Sequence, residues 1–132
     1  MIVVDTSVLI DLFKGKKNEA VSKFLEIEAL NADFCIPIYC CQELLQGAKD
    51  LKEWNLLLEF LETQTHISPL HGFSTYSAAA HIFYTCRRKG ITIRSTIDCL
   101  IAQLVLEREG YRLLHNDADF REIAAHFPLQ ML

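Results

Sequence analysis

The 132-residue chain has the length of one ordinary domain, and its 51% hydrophobic and 23% charged residues exclude a disordered, collagen-like or low-complexity polypeptide. A formal net charge of −4 argues against capture of nucleic acid by a uniformly basic surface, while leaving local patches open. The five cysteines (Cys35, Cys40, Cys41, Cys86, Cys99) are odd in number and lack C-x-x-C spacing, which points to buried free thiols in a reducing compartment rather than a disulfide framework.

No basic leader with a small-residue cleavage site opens the chain, because Asp5 interrupts the first apolar run. The longest uncharged apolar-rich run, 34–41, is too short to span a bilayer and contains Pro37. A soluble, cytoplasmic protein without membrane contact is expected.

In chain order, the β-branched run Ile2–Val4 suits a strand buried on both faces. Val8, Leu9, Leu12 and Phe13 then recur at helical spacing over Thr6–Phe13, with Lys14 to Lys17 as stop and linker. A second helix is predicted over 19–30, a short strand over Phe34–Pro37, and helices over 39–48 and Leu51–Glu62. A strand follows over 65–68, then a long helix over 73–89 ended by Gly90. The helix over 97–109 is the most periodic, with Ile97, Leu100, Ile101, Leu104 and Val105 on one side. A strand over 111–114, a short helix over 118–126 and a last strand over 128–132 complete the reading. Short strands alternating with helices imply an α/β protein with a parallel sheet covered on both faces. No internal repeat or long linker divides it, so one domain over 1–132 is expected.

Ligand-binding groups of open α/β sheets gather at the carboxyl ends of the strands. Asp5 ends the first strand and Asp117 follows the strand over 111–114, so these two acids are candidates for one rim. Glu43, beside Leu44 and Leu45, and Asp98, in a helix with Ile101, Ala102 and Val105, are acids where charge is least expected. Carboxylates gathered in a low-dielectric site repel one another unless a cation sits among them, and Mg2+ or Mn2+ suits an all-oxygen donor set. Such a cluster points to phosphodiester cleavage. Each acid also has a local explanation. Asp5 and Asp117 are placed to cap helices, Asp98 to close a capping box with Ser95, Asp119 and Glu122 to form a similar pair, and Glu43 to lie on a solvated face. The residues alone leave both explanations open.

The stretches VVDTSVLIDLF, ELLQGA, RRKGITIRSTIDCLIAQLVLE and LLHNDADF, in this order and spacing, resemble the PIN-domain ribonucleases, and more narrowly the VapC-type toxins of toxin–antitoxin pairs. The similarity runs from Ile2 to about Ile123. It implies an α/β/α sandwich around a short parallel sheet, with Asp5, Glu43, Asp98 and Asp117 binding Mg2+ or Mn2+, Ser7 orienting the ligands, and Asp119 supporting the site directly or through water. It further implies hydrolysis of a structured RNA such as tRNA or rRNA to a 5′-phosphate and a 3′-hydroxyl, silencing by a small VapB-like antitoxin, and a homodimer. His115 and Cys40 depart from the hydroxyl residues common at their positions, without removing a ligand.

Positive contacts for RNA are local: Lys14, Lys16 and Lys17, then Arg87, Arg88 and Lys89, and Arg94 four residues before Asp98. A solvated face and the helix dipole account equally well for Arg87 to Lys89. A haloacid-dehalogenase-type phosphatase needs a second Asp where Ser7 stands, and a receiver domain needs an acidic neighbour beside Asp5. The five histidines form no zinc pattern, and no glycine loop cradles a phosphate. The rival from another class is a PIN-like module that binds RNA or protein without catalysis. The apolar positions Trp54, Leu57, Leu58 and Leu61 suit either core or a docking groove for an antitoxin or second subunit.

Overall fold

A computed structural model describes residues 1–132 and shows four strands and seven helices: β1 (Ile2–Val4), α1 (Thr6–Phe13), α2 (Glu19–Ala29), β2 (Phe34–Pro37), α3 (Ile38–Gln46), α4 (Leu51–Glu62), β3 (Thr65–Ile67), α5 (Phe73–Arg88), α6 (Thr96–Leu106), β4 (Arg112–Leu114) and α7 (Ala118–Ala124). The strands form one parallel sheet in the order β3-β2-β1-β4. Val3 and Val4 at its centre have no exposed surface, as expected for a β-branched strand covered on both faces. Helix α1 packs against α2 and α3, and α3 against α4, while α5, α6 and α7 form a second packed group. This is the α/β/α sandwich expected, with a short parallel sheet.

One core runs through the sheet and both helical groups, with Phe24, Leu9, Ile36, Ile82, Ile101 and Phe120 among its fully buried side chains. Leu57 and Leu61 of α4 belong to the buried set, whereas Trp54 and Leu56 on the same helix are exposed, so α4 divides its apolar surface between the interior and the outside.

Local chemistry sets most of the boundaries. Asn18 and Asp50 accept the N–H groups of Val21 and Glu53 at the starts of α2 and α4. Gly90, with φ of 76°, terminates α5 as the left-handed residue that lets the Ile91 N–H reach back to the Cys86 carbonyl at 2.9 Å. The most periodic helix stops at Leu106, three residues short of the predicted end, where the Arg108 N–H turns to the Val105 carbonyl at 3.1 Å, a tightened last turn. Likewise α7 closes at Ala124, where His126 and Phe127 both bond to the Ile123 carbonyl.

The last strand predicted over 128–132 does not form. Only Leu113 and Met131 make an isolated parallel bridge, held by Leu113 N–H to the Gln130 carbonyl at 2.8 Å and Leu132 N–H to the Leu113 carbonyl at 2.9 Å. Pro128 has no N–H to offer a ladder, and Leu129 turns into the core, so the segment touches the outer edge of β4 at one residue.

In the middle of the sheet, the Asp5 N–H donates to the Leu114 carbonyl at 3.0 Å and carries the β1–β4 pairing one step past the strand end. That bond places the residue after β1 beside the start of the loop leading to Asp117.

A candidate metal centre at one rim of the sheet

Asp5 has two jobs at once. Its Oδ2 accepts the Ser7 N–H at 3.0 Å, capping α1, and the Ser7 hydroxyl at 2.6 Å. The carboxyl is 6% exposed, and burial pushes its pKa above the usual carboxylate range despite those bonds, with Glu43 adding repulsion. The Cys40 thiol approaches Asp5 Oδ1 at 3.8 Å, so a weak S–H donor stands where a hydroxyl was expected. Burial and the neighbouring Asp5 charge both raise the Cys40 pKa, which keeps it a neutral thiol. Next to Asp5, the Thr6 hydroxyl donates to Glu43 Oε1 at 3.0 Å and ties α3 to the start of α1.

Asp98 lies in the first turn of α6, 9% exposed, with Oδ2 buried and without a hydrogen-bond partner. It closes no capping box, since the Ser95 side chain makes no cap bond. Burial first, then the Asp119, Asp117 and Asp5 carboxylates, push its pKa up to about 8. Asp119, 4% exposed, forms no pair with Glu122; its Oδ2 instead accepts the N–H groups of Arg94 and Ser95 at 3.0 and 3.3 Å, fixing the approach to α6. Asp117 caps α7 by accepting the Asp119 N–H at 2.9 Å.

One oxygen from each of Asp98, Asp117 and Asp119 falls within 4.8 Å of the others. Asp5 and Glu43 lie outside that trio, yet a cavity of about 260 Å³ is lined by Asp5, Ser7, Glu43, Asp98 and Asp117 together. All four predicted acids therefore meet in one place, with Asp119 beside them. A buried carboxylate oxygen with no partner is costly, and here it faces other carboxylates instead of donors. An all-oxygen set with this unmet demand fits a hard divalent cation.

Of the basic residues singled out, Arg94 reaches the acids: its guanidinium lies 3.9 Å from Asp117 and 3.7 Å from Asp119 while remaining 75% exposed. Arg87 and Arg88 end α5 with their guanidinium groups over the rings of Phe83 and Tyr84. Lys14 lines a different and larger groove of about 780 Å³, shared with Ile10, Phe13, Leu56 and Phe60, which meets the acidic cavity at Glu43.

Three contributors were not foreseen from the sequence as part of the site. Thr6 holds Glu43. Asn116 donates its N–H to Ser7 Oγ at 2.9 Å and its amide to Asp11 Oδ2 at 2.8 Å. Asp11 also accepts the Asn18 amide at 3.0 Å, and these bonds, that of Asn116 foremost, hold its pKa below the usual value. The available signals were slight: Asn116 adjoins Asp117, and Ser7 and Asp11 are one helical turn apart. His115, the other departure, accepts the Asp117 N–H at Nδ1 at 3.1 Å and rests on Phe120. Burial, with the Arg121 charge behind it, lowers its pKa and favours the neutral ring that this acceptor role needs.

Carboxylates that follow β1 and β4, with others from α3 and α6, thus share one rim of a short parallel sheet. The PIN domain family matches residues 2–126, and this chain belongs to it. Ribonuclease VapC11 of Mycobacterium tuberculosis is 38% identical over 133 aligned positions, covering 98% of this chain and 96% of that protein. Among solved structures, VapBC-1 from nontypeable Haemophilus influenzae aligns at a TM-score of 0.73 with 20% identity, over 100% of this chain and 97% of the other. VapBC2 from Rickettsia felis, bound to a DNA fragment from its promoter, aligns at 0.73 with 20% identity, over 100% and 98%.

Proposed function

We propose that this protein is a VapC-type endoribonuclease toxin that hydrolyses phosphodiester bonds in a structured RNA such as tRNA or rRNA. The observation that carries the reading is the unpartnered Asp98 Oδ2 held among Asp117, Asp119, Asp5 and Glu43 in a chain 38% identical to a VapC ribonuclease. We further propose that residues 1–132 act as one nuclease domain, working in the cytoplasm as a homodimer.

Asp5, Glu43, Asp98 and Asp117, which line one cavity, would hold Mg2+ or Mn2+, with Asp119, grouped with Asp98 and Asp117, supporting the site directly or through water. When bound, the cation supplies Lewis acidity toward water and phosphoryl oxygens. The chain's own groups do the rest. Ser7 locks one oxygen of Asp5, and Asp119 pins the Arg94–Ser95 backbone, so the carboxylates are set before substrate arrives. Thr6 occupies only one oxygen of Glu43 and leaves the other to orient the attacking water and accept its proton. Arg94, exposed beside Asp117 and Asp119, is placed to exchange its carboxylate partners for a phosphate of the RNA.

Charge distribution supports an RNA path from Arg94 toward Arg87, Arg88 and Lys89. From Thr63 to Ile97 the chain contains no Asp or Glu, although the whole carries 17 of them. Acids of other elements still face parts of that stretch, Glu107 at Leu70 and Thr75 and Asp117 and Asp119 at Arg94, so the favourable charge for a polyanion centres on Arg87, Arg88 and Lys89. Lys14 lies off this path, in the larger groove, whose apolar wall suits a segment of a VapB-like antitoxin.

The test is end-mapped sequencing of cellular RNA incubated with purified protein in Mg2+ or in EDTA, beside an Asp98→Asn control. Cuts that need the metal and vanish in the control, leaving 5′-phosphate and 3′-hydroxyl ends, are expected. A metal-binding protein that cuts nothing would overturn the catalytic reading and leave a binding module.

A further inference from the structure

We infer that Asp11 and Asn116 form a bracket that positions Asp117 relative to Asp5, which makes both residues positioning elements of the site rather than surface decoration. The inference rests on the nuclease reading above but concerns residues that reading does not use.

Asp117 stands in a loop between β4 and α7, and a loop carboxylate needs external support to hold a fixed distance from one on β1. The residue before it supplies that support at two points. The Asn116 N–H bonds Ser7 Oγ at 2.9 Å, and the same hydroxyl donates to Asp5 Oδ2 at 2.6 Å. The Asn116 amide bonds Asp11 Oδ2 at 2.8 Å. Ser7 and Asp11 are four residues apart, so one turn of α1 presents both anchors on the same face. Backbone and side chain of residue 116 are thus both fastened to the helix that Asp5 caps, and a single peptide unit separates this fastening from Asp117.

Asp11 is itself well held. Its side chain is 13% exposed, Oδ2 also accepts the Asn18 amide at 3.0 Å, and Lys16 stands 3.7 Å from Oδ1. Asn18 in turn caps α2, so the turn between α1 and α2 is tied to the same carboxylate. The chemistry of the bracket is specific: an acceptor at position 11 and an amide donor at position 116. Ala at either position removes the bond, whereas Asn at 11 keeps an acceptor oxygen while removing the charge.

Outer partners that orient metal ligands typically change metal affinity or activity by roughly 10- to 100-fold when removed. Asp11→Ala, Asn116→Ala, the double variant and Asp11→Asn separate a bracket from a charge effect. Each protein is titrated with Mn2+ by calorimetry, its melting temperature is read in EDTA, and its RNA cleavage is resolved into kcat and KM. The expected result is a Mn2+ affinity roughly tenfold weaker in each Ala variant, the double variant no worse than either single, and Asp11→Asn within about twofold of wild type. The cleavage loss should fall on kcat at fixed Mn2+, with KM for RNA unchanged. Additive losses, an Asp11→Asn protein as impaired as Asp11→Ala, or affinity losses that track a fall in melting temperature would overturn the bracket. A wild type that binds Mn2+ and cuts RNA while all four variants match it would refute this inference alone. A wild type that binds no Mn2+ would take the nuclease reading down with it.

Discussion

Replacing Asp98 by Asn should stabilise the metal-free protein at neutral and alkaline pH. In the unfolded chain Asp98 titrates near 3.8, and in the fold its pKa is raised to about 8 by burial and by the neighbouring carboxylates. Between those values the folded state holds a proton that the unfolded state has released. Stability therefore falls as pH rises from about 4 to about 8, and the cost is complete above that range. At about 1.4 kcal/mol per pH unit the interval sets a ceiling of about 6 kcal/mol. That ceiling belongs to the interacting carboxylates jointly, not to Asp98 alone. An Asn at this position also buries an amide whose hydrogen bonds are incompletely met, at a cost of ~1–3 kcal/mol. A net gain of roughly 3 kcal/mol is left at pH 8, or a rise of ~10 °C in melting temperature for a chain of this size. The assay is thermal unfolding followed by circular dichroism in EDTA from pH 4 to pH 9. Wild type should lose melting temperature across that interval more steeply than Asp98→Asn, and the two curves should cross, with wild type the more stable by ~1–3 kcal/mol at pH 4, where only the amide cost of the variant remains. Mn2+ should raise the wild type melting temperature far more than that of the variant. An Asp98→Asn protein less stable than wild type at pH 8 in EDTA would refute the assignment of Asp98 as a strained, cation-seeking carboxylate.

Other perturbations separate the roles of neighbouring residues. Arg94→Ala, made in the Asp98→Asn background so that RNA is bound without being cut, should weaken RNA binding and lower the slope of log affinity against log salt by about one; an unchanged slope in fluorescence anisotropy would remove Arg94 from the phosphate path. Arg108→Ala breaks a buried pair in which Arg108 lies 3.2 Å from Glu107, while Glu107 also accepts the Leu70 N–H and the Thr75 hydroxyl. The stranded Glu107 charge should cost ~3–5 kcal/mol in denaturant unfolding with no change in Mn2+ affinity. Cys40→Thr substitutes a stronger donor beside Asp5 Oδ1, now 3.8 Å from the thiol, and should lower the Asp5 pKa and leave cleavage intact. Carboxyl resonances followed by NMR against pH would show the shift, and an Asp5 pKa that stays put would mean that the thiol contact is only packing.

The helices and strands were legible because their determinants are local. A run such as Ile2–Val4, the 3.6-residue repeat of α6 and the polar caps at Asn18 and Asp50 act over a few residues, and the sequence lays them side by side. The four acids were legible for a related reason, since an acid beside a buried strand or within an apolar helix contradicts its surroundings. For Asp5 and Asp117 the capping reading does not exclude the ligand reading, because each cap uses one carboxylate oxygen while both residues still line the cavity.

Tertiary structure alone decided how those parts meet. The order β3-β2-β1-β4 sets β1 next to β4, and no local pattern states which strands are neighbours. The unpartnered oxygen of Asp98, the Asp119 carboxylate beneath the Arg94–Ser95 backbone, and the attachment of Asn116 to Asp11 join residues distant along the chain. The helix ending early at Leu106 and the 128–132 segment reduced to one bridge were not legible from periodicity, the first closing on the local Arg108-to-Val105 bond and the second interrupted by Pro128 and by the burial of Leu129. Propensity acts within a turn or two of chain, whereas burial and hydrogen-bond satisfaction are settled by whatever the fold brings alongside.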